Sequence, residues 1–184
     1  NFCTVDLSAF YFDIRKDTLY CDPIDSKKRI SCVSLLNIIL NSLLKWFAPI
    51  LSFTTEEIYK LIFKGTKSIH LENFLEYPQT FHNQELNDKW LELIKIRNAC
   101  NMSIEEKRAK KEIGSSLEAE IKIDLRRDLE KIVQNIDFAE LCITSGAIVN
   151  FTENQDIIVS TIRAEGSKCP VCWKISKGQC PRHS

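Results

Sequence analysis

Apolar positions recur along the chain in two rhythms, one helical and one alternating, and the change between them divides it. Over residues 1–16 a helical spacing puts Phe2, Val5, Ala9 and Phe12 on one face and Leu7, Phe10 and Ile14 near the other. A helix apolar on two sides packs between neighbours or is cut from something larger. The chain opens inside this pattern with neither methionine nor cap, so residue 1 reads as an imposed boundary rather than a natural start. Asp25 or Ser26 can cap a second helix reaching Phe47, which Pro49 ends. Thr54-Thr55-Glu56-Glu57 has capping-box spacing and should open a third helix through Phe63, closed near Gly65. Residues 66–83 show little periodicity and read as irregular. A long helix then spans about Gln84 to Glu112, with Trp90, Leu93, Ile94, Arg97 and Cys100 along one stripe and Gly114 placed for a left-handed C-terminal cap.

After Gly114 the rhythm changes. Ala119, Ile121 and Ile123 alternate with charged residues, as in a half-buried strand. Leu125 to Gln134 reads as a helix with Leu125, Leu129, Ile132 and Val133 on its apolar face, and two further strands follow, about Cys142–Phe151 and Ile157–Arg163. The predicted fold is therefore mainly α: a helical bundle over 1–115, a small α/β subdomain over 116–165 and a short tip over 166–184.

That tip carries the most specific chemistry. Cys169-Pro-Val-Cys172 and Cys180-Pro-Arg-His183 are two C-x-x-C/H pairs joined by seven residues. Each pair turns sharply enough to aim both side chains at one point, and four S/N donors suit one tetrahedral Zn²⁺ with bonds of about 2.0–2.3 Å. A module this short cannot bury a useful core, so the metal must supply much of its folding energy. A full shell leaves no open position for a catalytic water, which makes the expected site structural. A redox reading of Cys169-x-x-Cys172 wants a thioredoxin-like βαβ context that is missing around it. The Cys180/His183 pair is the weaker half, because that spacing also arises by coincidence.

Composition narrows the class. With 184 residues, 44% of them hydrophobic, the chain can bury one good core and a small satellite. Outside the tip, Cys3, Cys21, Cys32, Cys100 and Cys142 are odd in number and irregularly spaced, which argues for a reducing cytoplasm rather than a disulfide framework. The apolar run Ile30–Phe53 is interrupted by Asn37, Asn41 and Lys45 and broken by Pro49, so a buried amphipathic helix is expected rather than a membrane span. Formal charge is zero, but basic residues cluster. Arg163, Lys168, Lys174, Lys177 and Arg182 face Glu165 alone; Lys107, Arg108, Lys110 and Lys111 form a second group, diluted by Glu105, Glu106 and Glu112; Lys27-Lys28-Arg29 is a third. Local basic faces on a neutral protein suit a polyanion bound at defined places, the alternative being ordinary solvated helix faces.

Several phrases resemble the C-terminal region of bacterial isoleucyl-tRNA synthetases: Asp6-Leu7-Ser8 with Tyr11 and Asp13; Lys16-Asp17-Thr18-Leu19-Tyr20-Cys21; Ala48 through Ile58; Ser68-Ile69-His70-Leu71; Arg97; Lys111 through Ala119; and Lys168-Cys169-Pro170-Val171-Cys172-Trp173. The words around Pro49 and Glu57 are shared with valyl and leucyl relatives, whereas I-G-S-S-L-E-A followed by C-x-x-C-W points to the isoleucine enzymes. The resemblance implies an anticodon-binding helical domain, a small α/β piece and a zinc-binding end. It further implies a parent ligase that uses ATP to join isoleucine to its tRNA. The chain itself carries no HIGH-like or KMSKS-like motif, no phosphate loop and no editing domain, so no catalytic residue is expected in it. The family's tip is expected to have two C-x-x-C pairs with a longer spacer; here the spacer is short and His183 replaces the last cysteine.

Folded RNA loops are read by stacking splayed bases and by holding phosphates. Trp173, next to a metal ligand, reads as a stacking platform or as an apolar lid over the metal. Arg97, Lys107, Arg108, Lys110 and Lys111 lie along the long helix, with Arg97, Arg108 and Lys111 toward one side, and Lys168, Lys174, Lys177 and Arg182 offer phosphate contacts from the tip. Trp46 and Trp90 read as core, and His70 and His82 as surface or packing histidines. The expected partners are isoleucine tRNA and the rest of a synthetase, with no membrane and a monomeric state. A competing reading makes the tip a zinc-stabilised module that docks on the synthetase body with little RNA contact. A DNA-binding regulator fails, because no recognition helix follows the knuckle.

Overall fold

The computed structural model describes all residues except Thr66, Asn154, Gln155, Pro181 and Ser184. It is mainly α with a small sheet and divides into two compact units: Asn1–Asp17 with Asn83–Ser184, and Thr18–His82.

In the smaller unit, the hydroxyl of Ser26 accepts the Arg29 N–H at 3.1 Å and starts α2 (Lys27–Phe47), as the capping pattern requires. Its partner α3 (Ser52–Ile62) begins before the expected box. The Thr55 hydroxyl instead donates back to the Leu51 carbonyl at 2.9 Å. Glu56 is used elsewhere, accepting the Ser68 hydroxyl and the Ile69 N–H at 2.9 Å each and pairing with Lys60 at 2.7 Å. Lys60 first, and then the Ile69 N–H, hold the Glu56 carboxyl down to about 2. That grip seats the short 3₁₀ turn Ile69–Leu71, placing Ile69 in a small core with Leu44, Ala48 and Tyr59. Thr66, at the head of the segment read as irregular, lies outside the described residues; beyond it that segment holds two 3₁₀ turns, Ile69–Leu71 and Gln79–Phe81.

Two expectations fail here. α2 is not a buried helix: Cys32, Ser42 and Leu44 are its buried residues, and Ile30, Val33, Leu35 and Ile38 are exposed. Trp46, expected in the core, is 46% exposed. The small core that α3 and the Ile69 turn make with α2 takes in Leu44 and Leu40 only, and so leaves the N-terminal half bare. By length and composition alone α2 is long and apolar enough to cross a membrane.

The larger unit opens with wide π-helical turns over Phe2–Phe12 that pass into α1 (Asp13–Cys21). Of the two apolar faces expected, the one with Leu7 and Ile14 is buried, while Phe2, Val5 and Phe12 stay exposed. Phe10 meets Trp90 edge-on at 6.0 Å, which puts Trp90 at the margin of the core. α4 (Gln84–Ala109) is capped by Asn83 and buries Leu93, Ile96, Cys100 and Ile104. It ends three residues short of the expected Glu112, and Lys111 rather than Gly114 takes the left-handed conformation (φ 58°). The Lys111 N–H reaches the Arg108 carbonyl and the Glu112 N–H the Lys107 carbonyl, the paired bonds of a Schellman stop. Gly114 instead gives its N–H to the Glu118 carboxylate at 3.1 Å.

β1 (Ala119–Arg126) is the centre of a three-stranded sheet ordered β2-β1-β3, parallel to β2 (Gly146–Thr152) and antiparallel to β3 (Ile158–Arg163). Leu125 keeps the parity of Ala119, Ile121 and Ile123, so it continues the strand instead of opening a helix; all four are fully buried. The helix expected over 125–134 shrinks to a 3₁₀ turn, Arg127–Leu129, and one turn of α5 (Glu130–Val133). A parallel pair needs a crossover, and α5 shares it with an unforeseen α6 (Phe138–Leu141), capped by Asp137. α6 takes the residues before Cys142, and Ile143 turns left-handed (φ 56°), so β2 starts at Gly146 rather than Cys142. A two-residue hairpin, β4 (Ser167–Lys168) with β5 (Ile175–Ser176), frames the tip. Gly166 sits where β5 passes so close that a Cβ would fall 2.0 Å from the Ser176 carbonyl oxygen.

Candidate metal centre and nucleic-acid interface

The two knuckles close on one point. Cys169, Cys172, Cys180 and His183 bring their donor atoms within 4.8 Å of one another. The Cys172 and Cys180 sulfurs are 3.7 Å apart, and His183 Nδ1 lies 3.7 Å from Cys169 Sγ and 3.4 Å from Cys180 Sγ. A tetrahedral ion with bonds of about 2.0–2.3 Å has donor–donor edges of about 3.3–3.8 Å, so the cluster has the size and donor chemistry of a four-coordinate metal site. Backbone N–H groups prepare the sulfurs for it. Those of Cys172 and Val171 point at Cys169 Sγ and hold that thiol down to about 6, and that of Arg182 lowers Cys180. Burial pushes the Cys172 thiol up, with the Lys174 N–H opposing it. The local fold follows from the sequence: the Trp173 N–H returns to the Cys169 carbonyl at 3.0 Å, and the His183 N–H to that of Cys180 at 3.1 Å.

Trp173 follows the first knuckle with φ 65°, a conformation that favours glycine, and its side chain is exposed (58%). The Lys168 ammonium sits over the indole, 4.7 Å from a ring centroid. Lys168, Trp173 and Lys174 are thus brought together on the hairpin, where the Lys174 carbonyl accepts the Cys169 N–H. Lys177 pairs with Glu165 at 2.9 Å, and Arg182 with Asp17.

The residues expected on the long helix are not gathered in the same way. Arg97 packs over the Phe10 ring at 5.3 Å and donates to the Leu141 carbonyl at 3.0 Å, fastening α4 to the N-terminal helix and α6. Lys107 pairs with Glu112 at 2.6 Å and Arg108 with Glu105 at 2.7 Å. Lys110 is the C-cap of α4 and Lys111 lies beyond it, so the shared side computed for an unbroken helix does not extend to Lys111. His70 approaches the Ser52 carbonyl and His82 caps a 3₁₀ turn, as surface histidines do. Asp17 and Ser145 went unnoticed in the sequence. The Ser145 hydroxyl donates to the Leu117 carbonyl at 2.5 Å and accepts the Ile175 N–H at 2.6 Å, tying the loop after α4 to the tip. Only their places in polar phrases mark them, and such phrases are common in turns.

Comparison with known proteins gives the context of this geometry. The chain is 64% identical over its whole length to an isoleucine–tRNA ligase of Pelagibacter ubique, of which it covers 20%. It is 40% identical to the isoleucine–tRNA ligase of Agrobacterium fabrum and 35% identical to that of Bartonella henselae; 96% of this chain aligns in each case, against 19% of the relative. The chain therefore spans about a fifth of the length of these relatives. Residues 1–123, which run from the π-helical turns into β1, match the family described as the anticodon-binding domain of tRNA ligase, and the chain belongs to that family.

Proposed function

We propose that this chain is the tRNA-holding part of an isoleucine–tRNA ligase that works, as a monomer, in the cytoplasm. The ATP-dependent attachment of isoleucine belongs to the rest of the enzyme. A helical part (1–115) and an α/β piece (116–165) carry a tip (166–184) in which Cys169, Cys172, Cys180 and His183 bind one structural Zn²⁺. The tip meets the anticodon stem-loop through Lys168, Trp173 and Lys174. Lys107, Arg108, Lys110 and Lys111 at the end of α4 supply further phosphate contacts.

The observation that carries this reading is Trp173. A large aromatic ring held exposed, in a backbone conformation it does not favour and with a cation over its face, contributes little to folding the tip. It is arranged as a stacking surface, which is worth about 1–3 kcal/mol per base. Local strain of this kind persists where function over-determines it. The pairing of Lys177 with Glu165 and of Arg182 with Asp17 supports a second role for those two cations, as clasps that hold the tip to its surroundings.

The test is binding of isoleucine tRNA by the zinc-loaded protein at two salt concentrations, with and without a strong chelator, and with Trp173→Ala and Lys168→Glu. Preferential binding that weakens with salt, by about 0.7 in log K per log salt for each phosphate held, and that both substitutions and chelation reduce, supports the reading. Binding indifferent to all four treatments makes the tip a docking module.

A further inference from the structure

Arg182 lies inside the second knuckle, between two metal-binding residues, and its guanidinium reaches across the unit to the Asp17 carboxylate on α1. Both side chains are about three-quarters withdrawn from solvent, at 29% and 24% exposure. Asp17 is presented from a fixed post. Ile14, one turn earlier, belongs to the main core, and Arg15 is tied to Glu140 of α6 at 2.7 Å.

The tip is also held elsewhere, Lys177 pairing with Glu165 at 2.9 Å. The Ala164 N–H reaches the Glu118 carbonyl at 2.8 Å, and the Ile175 N–H reaches the Ser145 hydroxyl. Those bonds fix the base of the hairpin, and the Arg182–Asp17 pair fastens its far end, next to His183. Among the described residues of the tip only Cys169 and Cys172 are buried, which leaves little apolar packing to set its orientation.

We propose that Asp17 is a positioning residue for tRNA recognition. It latches Arg182 so that the folded tip presents Lys168 and Trp173 in one orientation. Charge-assisted pairs to Arg give direction as well as attraction, and a site held about 1 Å too loosely loses much of its effect. The role rests on the tip being the RNA-facing part of the ligase, and it gives Arg182 a different task from the phosphate contact suggested by its charge.

The two tasks predict opposite outcomes in the zinc-loaded full-length ligase that contains this chain. Under the latch, Asp17→Ala raises amide exchange at residues 175–183 about ten-fold with zinc content unchanged, and raises the Kd for isoleucine tRNA about five- to ten-fold. The charge-swapped pair Asp17→Arg with Arg182→Asp brings both back toward the starting values. If Arg182 instead serves phosphate, Asp17→Ala leaves tRNA binding equal or tighter and the swapped pair stays weak, because position 182 has lost its cation. That result, or unchanged exchange in Asp17→Ala, overturns the proposal. Should the unaltered ligase bind tRNA no differently when Lys168 and Trp173 are replaced, the RNA-facing reading fails while the exchange data still decide whether the latch exists.

Discussion

The sheet core and the tip belong to one compact unit and are held together by opposite means. In the core, Ala119, Ile121, Ile123 and Leu125 of β1 and Leu93, Ile96 and Cys100 of α4 are shut away from water, each large side chain contributing about 1.5–3 kcal/mol by burial. Even the thiols there are plain packing groups: the Cys100 thiol beside it and burial raise the Cys142 thiol, keeping it neutral. In the tip, Val171 and Trp173 are more than half exposed, and among the described residues only the two first-knuckle cysteines are buried. There two of the three sulfurs, Cys169 and Cys180, accept N–H groups that favour the thiolate, while burial pushes the Cys172 thiol up. The contrast lies in the partners: Cys142 has another thiol beside it, whereas Cys169 and Cys180 have backbone N–H groups. On the reading proposed above, the tip gives its apolar surface over to display and draws its stability from the metal.

Metal removal should break this comparison most visibly. Structural zinc sites are worth about 10–16 kcal/mol to the segment they fold, far more than the tip's own contacts. A strong chelator, or Cys169→Ser, is expected to abolish amide protection from Ser167 to His183 and leave β1 protected. Hydrogen exchange with metal analysis on the same samples reads both halves. Protection that survives in a metal-free tip would mean that it holds a core of its own, and the contrast drawn here would be lost.

The converse substitution has a smaller effect and acts on the other region. Ile123 has no exposed surface and lies at the centre of the sheet, paired with Val149 and Val159. Ile123→Ala should cost the larger unit about 2–5 kcal/mol, seen as a lower denaturant midpoint at unchanged slope, while metal stoichiometry in the folded protein stays at one. A loss of metal without loss of sheet stability would show that the tip, and not the core, was reading that side chain.

How much of this was legible beforehand follows the same division. The metal cluster was readable because C-x-x-C/H spacing is local: each knuckle is decided within four residues. Ser26 and the alternation of β1 were local too, and both hold in the structure. What escaped was settled at a distance. Leu125 belongs to a strand because β2 and β3 flank it, and its spacing to Leu129 alone fits a helix equally well. Thr54 and Glu57 matched a capping box, but Glu56 is drawn to Ser68 and Ile69, which the sequence places 12 and 13 residues away. Trp46 looked like core because its helix is apolar, yet it is 46% exposed. The cations of the tip were legible as charges; that Arg182 meets Asp17, 165 residues earlier, was not.

The smallest effect separates the tip's stability from its display. Trp173 holds a left-handed backbone that costs a side-chain-bearing residue roughly 1–2 kcal/mol and costs glycine almost nothing. If the ring contributes little to folding the tip, Trp173→Gly relieves that strain and removes only the contact with Lys168. Metal affinity should then stay level or rise by up to about thirty-fold, the factor that about 2 kcal/mol allows, while tRNA affinity falls. Competition against a chromophoric chelator measures the first and tRNA titration the second. A glycine variant that binds metal more weakly would instead make the indole part of the tip's core, and Trp173 would then be exposed by geometry rather than for use.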